Sequence, residues 1–71
     1  MSMTKTQRIV NEMKKSSGRF FGLTTINGEQ INSQFIKETP SYVTVHDRNK
    51  FKDRKIRKES LAGFRLGSTV I

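Results

Sequence analysis

A run of basic residues between positions 48 and 58 is the part of the chain most able to do chemistry. Seven of these eleven residues are Lys or Arg, and Asp53 is the only acidic residue in the run. So dense a cluster can neutralise phosphate groups and release their counterions, which makes binding strongly salt-dependent. We therefore expect the DNA or RNA phosphate backbone as the partner, with little dependence on base sequence. An acidic protein surface is the alternative partner. A third interpretation is a solvated hairpin that keeps the small domain soluble, or a charged edge that blocks the addition of another strand.

Two aromatic residues accompany the cluster. Phe51 stands between Lys50 and Lys52, where it could stack on a base, and Tyr42 lies in a predicted strand upstream. The alternative for Phe51 is that it folds back onto the core. Phe20, Phe21, Phe35 and Phe64 are expected to be core residues. The predicted nucleic-acid-binding residues are Arg48, Lys50, Phe51, Lys52, Arg54, Lys55, Arg57, Lys58 and Tyr42.

Catalytic chemistry is not indicated by the remaining polar residues. His46 followed by Asp47 supplies one imidazole and one carboxylate, fewer than the three or four ligands of a usual metal site. The other carboxylates are scattered singly near cations, and no glycine-rich phosphate loop with its Lys is present. We therefore expect no catalytic residue, no metal site, no cofactor and no enzyme activity.

Length and composition restrict the chain to one small domain. Its 71 residues carry a formal net charge of +8, and Leu, Ile, Val and Phe make up about a quarter of them. That apolar content is enough for a small folded core but gives little stability beyond what folding requires. A homodimer, which would add buried surface, is therefore an open alternative. The absence of Cys excludes disulfides and thiolate zinc sites. No apolar run approaches the length of a membrane span, and no membrane partner is expected.

The first fifteen residues read as a helix. Thr4 followed by Gln7 resembles a capping box, and Ile9 and Met13 form a narrow apolar stripe at i, i+4 spacing. A helix this short either docks through that stripe or remains a mobile arm. Docking on the domain or on a second subunit is favoured over a membrane surface. We accordingly divide the chain into an N-terminal helix or arm, residues 1–17, and a β domain, residues 18–71.

Residues 18–71 carry strand patterns. Segments 19–26 and 29–36 flank Asn27-Gly28, which predicts a two-residue type I′ hairpin with Ile26 opposite Glu29 and Phe20 opposite Phe35. Further strands are predicted at 41–46, about 54–57 and 62–66, with one 3₁₀ turn at 59–61. Five short strands with this turn before the last one predict a mainly β fold, a five-stranded SH3-like barrel with a short N-terminal α-helix.

Three segments resemble a known family. GRFFGLT (18–24), YVTVHD (42–47) and RKIRKESLAGFRL (54–66) are similar to small tailed-phage proteins with an SH3-like β-barrel fold, a family of unassigned activity. The chain departs from that pattern in its N-terminal extension and in the polar segment 32–34. The resemblance implies the barrel, an accessory role in phage infection and a location in the cytoplasm of the infected bacterial host. The alternative function for this chain is host takeover, in which the protein docks on an acidic surface of a host enzyme and inhibits or redirects that enzyme.

Overall fold

A computed structural model of the chain describes residues 4–71 and shows a mainly β fold with one short helix. In chain order the elements are α1 (Lys5–Lys15), β1 (Phe20–Thr25), β2 (Gln30–Glu38), β3 (Tyr42–Asp47), β4 (Lys52–Arg57), a 3₁₀ turn (Lys58–Ser60), β5 (Leu61–Leu66) and β6 (Thr69–Val70).

The strands form one antiparallel sheet in the order β4-β3-β2-β1-β5-β6. The expected five strands become six, because Gly67 at φ 59° lets the chain turn back and pair Leu66 with Thr69. The sheet is open, since no ladder within residues 4–71 joins β4 to β6. Helix α1 covers the apolar face of this open sheet, so the core does not need a closed barrel around it.

Helix α1 packs against the sheet, so the segment is a docked helix and not the mobile arm that was the alternative. The Thr4 hydroxyl accepts a hydrogen bond from the Gln7 amide at 3.1 Å and caps the first turn. Ile9, Val10 and Met13 are fully buried and share one core with the sheet. Residues 1–3 of the predicted helix lie outside the described part of the chain.

One face of the sheet carries the core. Alternate residues of each strand point toward α1, and we call this side the inner face and the opposite side the outer face. The buried apolar residues of the inner face and of the strand ends beside it are Phe21, Leu23, Ile31, Val43, Val45, Ile56, Leu61 and Phe64. Phe35 packs against this cluster while partly exposed.

The β1–β2 hairpin forms with a register one residue away from the prediction. Phe20 pairs with Gln34 rather than Phe35, and the Thr25 amide donates to the Glu29 carbonyl at 2.9 Å. The loop therefore has three residues and requires a positive φ only at Gly28, which has φ 83°. Because a shift of one residue exchanges the faces of a strand, Phe20 moves to the outer face. The expectation that Phe20 is a core residue is wrong, since 37% of its surface is exposed.

Candidate functional site

The basic residues of β4 divide between the two faces of the sheet. Arg54 pairs across the ladder with Val45, and Ile56 pairs with Val43, so both belong to the inner face. Lys55 and Arg57 alternate with them and lie on the outer face. The predicted cluster is therefore not one surface, and its members have different partners.

Arg54 is engaged by two carboxylates on the inner side. Its guanidinium donates two hydrogen bonds to Glu29, at 3.0 and 3.2 Å, and one to Asp47 at 3.1 Å. The hydrogen bonds from Arg54 lower the pKa of Glu29, and the same bonds raise the pKa of Arg54 itself. Burial opposes ionisation of Asp47, but bonds from Arg54 and two turn amides outweigh it and lower its pKa. A guanidinium held in this way is a structural group of the fold.

Lys58 is engaged in a similar way. Its ammonium group donates to Glu38 at 2.6 Å, and Lys14 of α1 donates to the same carboxylate at 2.9 Å. The bond from Lys58, followed by the bond from Lys14, lowers the pKa of Glu38. This bridge fastens α1 and the 3₁₀ turn to β2. The Arg57 side chain, in contrast, is 78% exposed and forms an ion pair with the neighbouring, similarly exposed Glu59, at 3.4 Å.

The hairpin tip, residues 48–51, presents Phe51 to solvent. One Asp47 carboxylate oxygen accepts from the amides of Asn49 at 2.9 Å and Lys50 at 3.2 Å, which fixes the turn. Phe51 closes the turn with φ 53°, a left-handed conformation that is unfavourable for a bulky residue. Its side chain is 81% exposed, so the alternative in which it packs on the core does not occur.

Two aromatic rings of the outer face lie against cations. The Lys55 ammonium is 5.2 Å from the centre of the Tyr42 ring, and the Arg48 guanidinium is 5.1 Å from the centre of the Phe20 ring. Each pair therefore places a positive charge over an aromatic ring. Sequence reasoning missed Phe20 because the register that brings it to this face follows from the loop length.

A second missed residue is Lys37, which lies just beyond the predicted strand segment 29–36. Strand β2 continues to Glu38 through a bulge, and Lys37 pairs with Thr44, which pairs on its other side with Lys55. A row of Lys, Thr and Lys thus crosses three strands. The Thr44 hydroxyl oxygen is buried and has no hydrogen-bond partner within residues 4–71.

Charge is segregated between the faces. Of the six carboxylates, only Asp53 lies on an outer-face strand position, where its oxygen is 3.1 Å from Nδ1 of His46. The other five are in α1, on the inner face, or in the loop and turn segments. Within the described residues, no ion pair engages the basic side chains Arg48, Lys50, Lys52, Lys55 and Lys37. The outer face and tip therefore hold most of the sheet's uncompensated positive charge.

Comparison with known proteins adds no relative to this description: no family model, curated protein or solved structure matches the chain. Among residues 4–71, no helix has the length and apolar character needed to cross a membrane. In the same range, no group of three or more acidic or imidazole side chains is arranged to hold a metal ion.

Proposed function

We propose that the protein binds nucleic acid through its outer face and hairpin tip, with weak dependence on base sequence. The observation that carries the proposal is the segregation of charge, which leaves basic side chains without carboxylate partners on one side of the molecule. Phosphate groups are the natural counterions of such a surface. The residues proposed to hold them are Arg48, Lys50, Lys55, Lys37 and Arg57, the last of which has an exposed ion pair with Glu59. Lys52 adjoins the tip at the start of β4, at an inner-face position opposite Asp47, and is proposed to act with the tip.

Phe51 adds an aromatic contact at the tip. Because the ring is 81% exposed between two lysines, it can lie against a base while the lysines hold the flanking phosphates. Arg54 and Lys58 are left out of the proposed surface, since their charged groups already bind carboxylates at hydrogen-bond distance. They support the hairpin and the 3₁₀ turn.

Matched charge removal tests the proposal. The double variant Lys50→Gln/Lys55→Gln removes two charges from the proposed surface, and Lys5→Gln/Arg8→Gln removes two exposed charges from α1. Both variants have the same net charge. If the proposal holds, the first variant binds an oligonucleotide at least about tenfold more weakly than wild type at low salt, and the second much less so. Equal losses of oligonucleotide affinity in the two variants would mean that binding depends on net charge alone, which would contradict a defined binding surface.

An acidic surface of a host enzyme is the rival partner for these same cations. Because both partners would use the same cations, nucleic acid bound at the outer face should displace such a protein in a competition experiment. A wild-type protein that ignores both DNA and RNA at low ionic strength would leave the rival as the better hypothesis.

We also propose that the domain is SH3-like and that its relatives are the small tailed-phage proteins which its segments resemble. The strand order β4-β3-β2-β1-β5 and the 3₁₀ turn before β5 support this, while the open sheet departs from a closed barrel. An accessory role in the cytoplasm of an infected bacterium follows from that relationship. Expression of the chain only during phage infection would support it, and a cellular gene expressed without phage would contradict it.

A further inference from the structure

We infer that the nucleic acid bound at the outer face is single-stranded, and that its bases stack on Tyr42 and Phe20. This inference rests on the proposed function and adds the class of nucleic acid to it. Stacking on a protein ring needs an open base face, which a duplex buries between neighbouring base pairs. Partly exposed rings on a sheet face, such as Phe20 and the half-buried Tyr42, are therefore suited to unpaired strands when cations accompany them.

The Phe20 ring is accessible for a structural reason. Its outer-face neighbour two residues along β1 is Gly22, which has no side chain to cover the ring. Gln34, directly across on β2, supplies a flat amide beside it. The Arg48 guanidinium lies over the ring, 5.1 Å from its centre, so a base that stacks there displaces this long side chain toward the adjoining phosphate.

Tyr42 offers the same combination at the other end of the face. Lys55 lies 5.2 Å from its ring centre, and Arg57 is its direct partner across the β3–β4 ladder. A base on the Tyr42 ring would have two cations within reach of the adjoining phosphates. The repeated pairing of one ring with one cation matches a strand that alternates bases with phosphates.

The two rings are a suitable distance apart for one strand. Tyr42 and His46 are four residues apart along β3. His46 pairs with Gln34 on β2, and Gln34 pairs with Phe20 on β1, which adds two strand spacings. At about 3.3 Å per residue and about 4.8 Å per strand, the separation is roughly 16 Å. That is the length of about five nucleotides of a stacked strand at 3.4 Å each. Lys37 on β2 lies between the two rings and carries a cation for the phosphates there, while Lys55 on β4 lies on the far side of Tyr42.

Three probes of equal length test the inference: an oligothymidylate of about ten nucleotides, an abasic strand that keeps the phosphates without bases, and a duplex. The full chain should bind the thymidylate about tenfold more tightly than the abasic strand and more tightly than the duplex, at the same salt. Phe20→Leu and Tyr42→Leu should each reduce the thymidylate-to-abasic ratio several-fold. Ile26→Ala, at an apolar residue that is 65% exposed in the β1–β2 loop, should leave the ratio unchanged.

The outcomes separate this inference from the proposed function. Salt-dependent binding of all three probes with equal affinity, or a preference for the duplex, would overturn the single-strand inference and leave nucleic-acid binding standing. No binding of any probe would overturn both. Because Tyr42 is the only Tyr and the chain has no Trp, quenching of tyrosine fluorescence by the thymidylate, and not by the abasic strand, is a direct second readout of stacking.

Discussion

The Arg54 guanidinium holds the Glu29 carboxylate by two hydrogen bonds, at 3.0 and 3.2 Å, across 25 residues of sequence. The same guanidinium binds Asp47, whose other carboxylate oxygen accepts from two amides of the hairpin tip. One side chain thus ties the β1–β2 loop to the β3–β4 hairpin and fixes the turn that displays Phe51.

Arg54 and Lys55 are adjacent cations with different predicted roles. Arg54→Met should lower the melting temperature, because it leaves the buried Asp47 carboxylate without its guanidinium partner. Lys55→Met should leave the melting temperature unchanged and reduce the salt slope of nucleic-acid binding by about 0.7–0.9. Thermal melts and salt titrations of both variants check this. Equal effects of the two variants on stability would refute the assignment.

Acid should destabilise the protein through three carboxylates. Glu29, Glu38 and Asp47 have a lower pKa in the folded state than their ordinary values of about 3.9–4.3. For a lowered pKa, the stabilisation is fully present above the unfolded pKa and is lost as the pH falls through the folded value. Melting temperature should therefore be flat above about pH 5 and fall steeply below about pH 4. Glu38→Gln should be less stable than wild type at pH 7 and show a shallower acid decline.

Phe51→Asn should have opposite effects on stability and binding. Asn tolerates the left-handed conformation that strains Phe, so relief of about 1 kcal/mol should raise the melting temperature by about 4–8 °C. Little burial is lost, because the Phe51 side chain is 81% exposed. Binding of an oligonucleotide should weaken several-fold. A variant that melts lower than wild type would mean that the Phe51 ring stabilises the tip.

Thr44→Val should stabilise the fold. The Thr44 hydroxyl is buried without a partner in the described chain, and such a group costs about 1–3 kcal/mol. Val has nearly the same shape, suits a strand and removes that cost, so chemical denaturation should show a gain of about 1 kcal/mol. A loss of stability would indicate that the hydroxyl has a hydrogen-bond partner such as an ordered water.

Much of the architecture could be predicted from local signals. The Thr4 cap and the Ile9–Met13 stripe locate α1, and Asn27-Gly28 locates the first hairpin. The strand expected at about 54–57 also forms, and the alternation of a strand places Arg54 and Lys55 on opposite faces. The hairpin register could not be predicted, because the same Asn-Gly pair fits a two-residue loop or the end of a three-residue loop, and only packing of the inner face chooses between them.

The site was harder to predict for a similar reason. Arg54 and Lys58 look like free cations in sequence, since their carboxylate partners Glu29 and Glu38 are 25 and 20 residues away. Phe20 and Lys37 join the outer face only through the observed registers of β1 and β2. Sequence spacing reports the alternation within one strand, whereas these contacts depend on which strands are neighbours.

Oligonucleotide affinity of the wild-type chain as a function of salt tests nucleic-acid binding most directly. Contacts from about four to six cations predict a straight log–log plot with a slope of about −3 to −5, and a shallower slope after Lys50→Gln/Lys55→Gln. Absence of binding at low ionic strength, or a slope unaffected by that double variant, would contradict the assignment of the outer face and tip as the binding surface.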